Sequence, residues 1–226
     1  MERLILIIIS LLVYGVASGQ PNFIKRLGNG QHQHIVVYGT SLSSGGHGEA
    51  WMHIVADDMN RRYGDSLISY SLAGKGGMWS TWGVQHLEDN VIAKKPDAVI
   101  VEFGINDAFL EYETSVEVAK LNLTYMIDRI KLYNDSCDVI LQVMNMPIGK
   151  SARLRPNLDA YYAMYRETAE EKHVMLIDHY ANWSDVLAKG EDVFRGYVPD
   201  GIHPNSEGAA EIIAPYILKM IYLKSP

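Results

Sequence analysis

Five short apolar runs alternate along the chain with longer stretches whose apolar residues recur at helical spacing. The runs are Ile35 to Tyr38, Leu67 to Leu72, Ala98 to Phe103, Val139 to Val143 and Val174 to Ile177. Most are continuous rather than alternating, which predicts strands buried on both faces. Between them, Trp51, Ile54, Val55 and Met59 form one helical stripe. Leu121, Met126, Ile127 and Ile130 form another, opened by a Thr114-to-Glu117 capping box. Leu158 to Glu171 reads as a further helix. Ser206 to Leu223 reads as the last, carrying Ile212, Ile213, Tyr216, Ile217 and Ile221. Five β-α units in series predict an α/β fold, a parallel sheet with helices on both faces. In such sheets functional groups collect beyond the C-terminal ends of the strands.

The first nineteen residues stand apart. Arg3 precedes the apolar run Leu4 to Val13, and Ala17, Ser18 and Gly19 precede Gln20. This reads as an export signal cleaved near Gly19, because the run is shorter than the roughly 20 residues of a spanning helix. The expected mature protein, 20–226, is then a single secreted or periplasmic domain without stable membrane insertion. The 226 residues are 48% hydrophobic, enough for one sizeable core. A net charge of −7 and a pI near 5.6 argue against nucleic acid or an anionic membrane as a partner. Cys137 is the single cysteine, so no internal disulfide can form, and its apolar setting reads as a buried small hydrophobe. Asn-x-Ser/Thr triplets at Asn122, Asn134 and Asn182 bear glycans only in a eukaryotic secretory route. The pattern does not set an oligomeric state.

The candidate chemistry sits in short strings just after the apolar runs. Gly39-Thr40-Ser41-Leu42 follows the first, and Gly74-Lys75-Gly76-Gly77 the second. Gly104-Ile105-Asn106-Asp107 follows the third. Asp200-Gly201-Ile202-His203-Pro204 lies after the fifth, before the last helix. All four are expected on one edge of the sheet. A hydroxyl, an imidazole, a carboxylate and amide donors are the inventory of serine-based acyl transfer.

These blocks, in this order, resemble the GDSL, or SGNH, hydrolase superfamily, over about Gln33 to Leu223. The resemblance implies a three-layer, flavodoxin-like α/β/α sandwich around a five-stranded parallel sheet. It implies Ser41 as nucleophile, with Asp200 and His203 completing a triad. It also implies an oxyanion hole from the Ser41 N–H, a glycine N–H and the Asn106 side chain. Family spacing favours Gly77 for that glycine, with Gly76 as the near alternative. One departure is Thr40, where the usual first block carries aspartate; proton transfer does not need that group. Gly77 to Ser80, Phe103 to Phe109 and Leu176 to Tyr180 are similar to an exported bacterial branch of the superfamily.

Plainer readings exist for several residues. Asp107 is expected to be structural, capping the segment that follows. His32, His34, His47, His53 and His86 lack metal-ligand spacing and read mostly as surface residues, so no metal is expected. The glycine loop resembles a phosphate cradle, but Trp79 occupies the position that needs a small residue, and no organic cofactor is expected. Trp79 and Trp82 suit either a sugar platform or the core. Lys150, Arg153 and Arg155 suit either attraction of an acidic substrate or a solvated face. No Gly-x-Ser-x-Gly elbow surrounds Ser41, and no long insertion offers a lid. The expected substrate is a small-molecule or carbohydrate ester, preferably acetyl. A lysophospholipase, a thioesterase or a catalytically silent carbohydrate-binding relative are the alternatives.

Overall fold

All five expected strands form a single parallel sheet. The computed structural model describes residues 20–223, so the expected export signal lies outside the described residues. The strands are β1 (Gln33–Gly39), β2 (Ile68–Leu72), β3 (Ala98–Glu102), β4 (Asp138–Val143) and β5 (Met175–Asp178), in the order β2-β1-β3-β4-β5. Every neighbouring pair is parallel. Val36, Val99 and Val139 lie side by side across the three inner strands. All residues of β3 are buried, as its unbroken apolar run requires. The reversal of strand order at β1 and β3 opens a crevice at their C-terminal ends.

Two groups of helices cover the sheet, giving the expected three layers. Gly45–Tyr63 packs with the terminal helix Ala214–Tyr222, while Val116–Tyr133 packs with Ser80–Gln85 and Leu158–Glu171. Trp51, Val55 and Met59 are buried as expected. Leu121 is not: it is 69% exposed. The buried stripe of that helix is Ala119, Leu123, Met126, Ile127 and Ile130, and Leu121 falls about 240° around the helix from Ile127. The expected capping box also shifts by one residue. Ser115 Oγ accepts the Val118 N–H, while Thr114 Oγ1 donates to the Tyr112 carbonyl.

The last helix is not continuous. Ser206–Gly208 leads into a wider π turn at Ala209–Ile213 before Ala214–Tyr222. Pro215 has no N–H to give residue 211 and its ring crowds that carbonyl, so the regular ladder cannot run through. Short helices at Asn22–Gly28, Ser80–Gln85 and Glu191–Tyr197 carry too few periodic positions to stand out in the sequence. The first of them buries Phe23, Ile24 and Leu27, and its Phe23 N–H donates to Asp138 Oδ2 at 2.7 Å. Cys137 is fully buried, and burial pushes its thiol up to about 12. No described helix is long and apolar enough to cross a membrane.

Candidate active site

The loop after β1 presents the hydroxyl, and close backbone contact sets its position. Ser41 opens a single 3-10 turn, Ser41–Ser43, capped by Thr40 Oγ1, which accepts the Leu42 N–H. Beneath this turn lies Glu102, the last residue of β3, completely buried. Its Oε2 accepts from Thr40 N–H at 3.2 Å, Thr40 Oγ1 at 2.7 Å and Ser43 Oγ at 3.1 Å. Burial pushes the Glu102 carboxyl up to about 7 against the pull of these donors. Thr40, where aspartate is usual, is therefore the neutral partner of a buried carboxyl.

The glycine loop after β2 lies directly against this turn. Lys75 N–H donates to the Gly39 carbonyl at 3.0 Å. A side chain on Gly74 would stand 2.6 Å from that same oxygen, so only glycine permits the approach. Gly77 adopts φ +76°, and its carbonyl accepts the Tyr112 hydroxyl. Among the described residues, the backbone N–H groups of Ser41, Gly76 and Gly77 find no acceptor. Gly76 lies beside Ser41: a Cβ there would be 3.5 Å from the serine Cβ.

The Asp200 to His203 loop arrives from the far end of the chain. Gly201 takes φ +83°, and its carbonyl accepts the Ile148 N–H at 2.8 Å. Asn145 Nδ2 donates to the Ile202 carbonyl at 3.0 Å. So anchored, His203 Nε2 is 2.8 Å from Ser41 Oγ, and His203 Nδ1 is 2.6 Å from Asp200 Oδ2. Asp200 Oδ1 accepts the N–H groups of His203 at 2.8 Å and Ile202 at 3.0 Å. Partial burial alone would raise the Asp200 carboxyl. The backbone and ring bonds from His203, then the Ile202 N–H, outweigh that and hold it below its ordinary value. With Asp200 ionised, Nδ1 carries the imidazole proton and Nε2 is left to receive the hydroxyl proton.

Asn106 stands in the short helix Gly104–Asp107 after β3. Its Nδ2 donates to the Met78 carbonyl at 2.9 Å, which ties it to the glycine loop and leaves one amide proton free. Asp107 is structural, but it does not cap the segment that follows, contrary to the expectation from sequence. Its Oδ1 accepts the Ser80 N–H at 2.9 Å and so holds the start of Ser80–Gln85, which follows the glycine loop. Its carboxyl is pushed up to about 7 by burial.

Other candidates sort differently. Trp79 stacks on Tyr112 with ring centres 4.4 Å apart, half-exposed beside Gly77, whereas Trp82 packs on Tyr38 and Phe103. Lys150 and Arg153 are exposed, but Arg155 turns inward. Its guanidinium donates to Asn106 Oδ1 at 3.2 Å and to the Ile105 carbonyl at 2.7 Å. His47 is not an unattached surface residue. Its ring stacks on His203 at 4.8 Å, and its Nδ1 lies 3.2 Å from the Pro204 carbonyl. His34 bridges the Ser69 and Ser71 hydroxyls, His53 faces Asp57, and His86 stacks on Trp82. His179 is fully buried and burial pulls it down to about 3, so it stays neutral. Glu102, Arg155 and His47 carry no motif of their own. The one sequence hint for Glu102 is a carboxylate ending an otherwise apolar strand.

The fold and the order of the motif blocks are those of the SGNH-type hydrolase class of protein. The chain belongs to the GDSL-like Lipase/Acylhydrolase family, whose profile matches residues 37–211. It is a carboxylic ester hydrolase. Among solved structures, it is similar to the acetylxylan esterase Axe2 from Geobacillus stearothermophilus. Identity is 21% over 84% of this chain and 94% of that chain, with a TM-score of 0.71. A catalytic mutant of the same enzyme, with its histidine replaced by alanine, aligns at 20% identity over 84% and 94%, with a TM-score of 0.73. A putative GDSL-like lipase from Parabacteroides merdae ATCC 43184 aligns at 17% identity over 86% and 97%, also with a TM-score of 0.73. No curated protein sequence matches the chain.

Proposed function

We propose that this esterase cleaves small acyl groups, acetyl first among them, from carbohydrate alcohols, through an acyl-enzyme on Ser41. The observation that carries the mechanism is the hydrogen-bonded series Ser41 Oγ, His203 Nε2, His203 Nδ1, Asp200 Oδ2. His203 takes the Ser41 proton as Oγ attacks the ester carbonyl. Asp200 fixes the imidazole tautomer and stabilises the imidazolium. The developing oxyanion is held by the Ser41 N–H, the Gly77 N–H and the free Asn106 amide proton. His203 returns its proton to the departing alcohol. Water then attacks the acyl carbonyl and gives a proton to His203, which passes it to Ser41 Oγ as the acyl–oxygen bond breaks, so the acid leaves and the serine is restored.

Support for the acetyl preference comes from the absence of a long lid insertion in the sequence and from the half-exposed Trp79 and Tyr112 beside Gly77. The similar fold of acetylxylan esterases points the same way. A panel of esters from acetyl to long acyl, run on wild type and Ser41→Ala, tests both parts. Acetyl and butyryl esters should turn over fastest, Ser41→Ala should be inactive, and an organophosphonate should label Ser41. A kcat/KM that climbs steadily with chain length would instead favour a lysophospholipase. The reading includes export, so the secreted form should begin close to Gln20 by N-terminal sequencing; a start at Met1 in a membrane fraction would mean an anchor.

A further inference from the structure

We propose that Arg155 is a positioning residue for the oxyanion donor, holding the Asn106 carboxamide by its oxygen and lending it positive charge. The proposal rests on the oxyanion role given to Asn106 above. Arg155 lies 49 residues further along the chain, beyond the end of the short helix Gly149–Arg153. Three of its donors are committed. Nη2 reaches Asn106 Oδ1 at 3.2 Å, Nε the Ile105 carbonyl at 2.7 Å, and Nη1 the Ser151 carbonyl at 3.2 Å. The guanidinium also packs over the Phe109 ring, 4.8 Å from its centre. A planar fork held at this many points has little freedom left.

The consequence for Asn106 is specific. Its amide has one oxygen and two N–H donors. The oxygen faces Arg155, and one donor faces the Met78 carbonyl. A flip would turn the NH2 toward the guanidinium and the oxygen toward a carbonyl, repulsive on both sides. The second N–H is therefore aimed by elimination. Arg155 also forms no ion pair among the described residues. A half-buried cation left without a carboxylate, and placed on the far side of the amide, polarises that N–H toward an anion. This favours the transition state, where the oxyanion exists, over the bound ester. It departs from both sequence readings of this basic cluster, because the side chain turns inward and commits its donors to the protein's own carbonyls.

The test is a double-mutant cycle on the full chain with an acetyl ester, each variant first checked for a wild-type-like melt. Arg155→Met should lower kcat by about tenfold or more, with KM within about twofold. Asn106→Ala should lower kcat by about 10²- to 10³-fold. In the Asn106→Ala background, Arg155→Met should cost less than about twofold, because its target is gone. If Arg155→Met melts below the assay temperature, Arg155→Gln carries the same cycle. A raised KM at unchanged kcat would make Arg155 a substrate anchor and overturn the proposal. So would fully multiplicative losses, or no loss. An unchanged kcat in Asn106→Ala alone would instead refute the site reading on which the proposal stands.

Discussion

Thr40 and Glu102 show how one residue choice depends on another 62 positions away. Thr40 Oγ1 donates to Glu102 Oε2 at 2.7 Å and accepts the Leu42 N–H at 3.2 Å, so its hydroxyl is used in both directions. Aspartate at 40 has no proton to donate at neutral pH and would set two carboxylates together in a buried place. They would have to share a proton, as close carboxyl pairs do. Thr40→Asp, though it restores the common family residue, should therefore destabilise the chain by about 3 kcal/mol at pH 8 and by less at pH 5. The added change Glu102→Gln should recover most of the loss. Denaturant midpoints of the single and double variants at the two pH values measure this. Equal stability of Thr40→Asp and wild type at pH 8 would contradict the pairing.

At the scale of elements, the loops after β1 and β2 behave as one unit because glycine lets their backbones touch. Gly74 has no room for a Cβ beside the Gly39 carbonyl, whereas Gly76 has ordinary van der Waals space beside Ser41. Gly74→Ala must push the glycine loop away from the Ser41 turn. The expected cost is about 1–3 kcal/mol of stability and a kcat fall of up to about 10²-fold, since displaced donors no longer meet the oxyanion. Gly76→Ala should stay within about 0.5 kcal/mol of wild type. Chemical denaturation with kcat on the same samples checks both; a well-folded, fully active Gly74→Ala would show that the loops do not need this contact. Asp107 adds a second tie, from the β3 loop to the start of Ser80–Gln85.

For the whole molecule, the buried carboxyls make stability depend on pH. Glu102 and Asp107 titrate near 7 in the fold, well above their ordinary carboxylate values. Over that window the native state holds more protons than the unfolded chain, so their contribution is full at low pH and is lost as pH rises to 7. His179, pulled down to about 3, acts oppositely: its contribution is present above 6.5 and is lost as pH falls toward 3. Two carboxyls outweigh one imidazole between about pH 5 and 7, so the melting temperature should fall as pH rises across that range. Glu102→Gln removes one of the two, and thermal melts at pH 5, 6, 7 and 8 should show a flatter fall. Parallel curves for wild type and Glu102→Gln would mean that Glu102 has an ordinary carboxyl.

Linear patterning was enough for the five strands, their parallel arrangement and the edge on which the four motif blocks lie. Those follow from local periodicity, since an unbroken apolar run such as Ala98 to Val101 has few other stable places. Family resemblance added roles for Ser41, Gly77, Asn106, Asp200 and His203, and the fold brings Ser41, Asp200 and His203 into hydrogen-bonding contact. What surrounds them emerged with the folded chain alone. Glu102 under Thr40, Arg155 on Asn106, His47 against His203 and Asp107 on Ser80 are contacts between residues far apart in the chain, or in different elements. Their side chains carry no periodic signature. The same limit applies to the exposed Leu121, where composition reads apolar but the helix phase, set by packing on the neighbouring helices, turns it to solvent. A linear pattern records which residues prefer burial; it does not record which polar groups meet there, because that depends on how loops from different strands converge at one sheet edge.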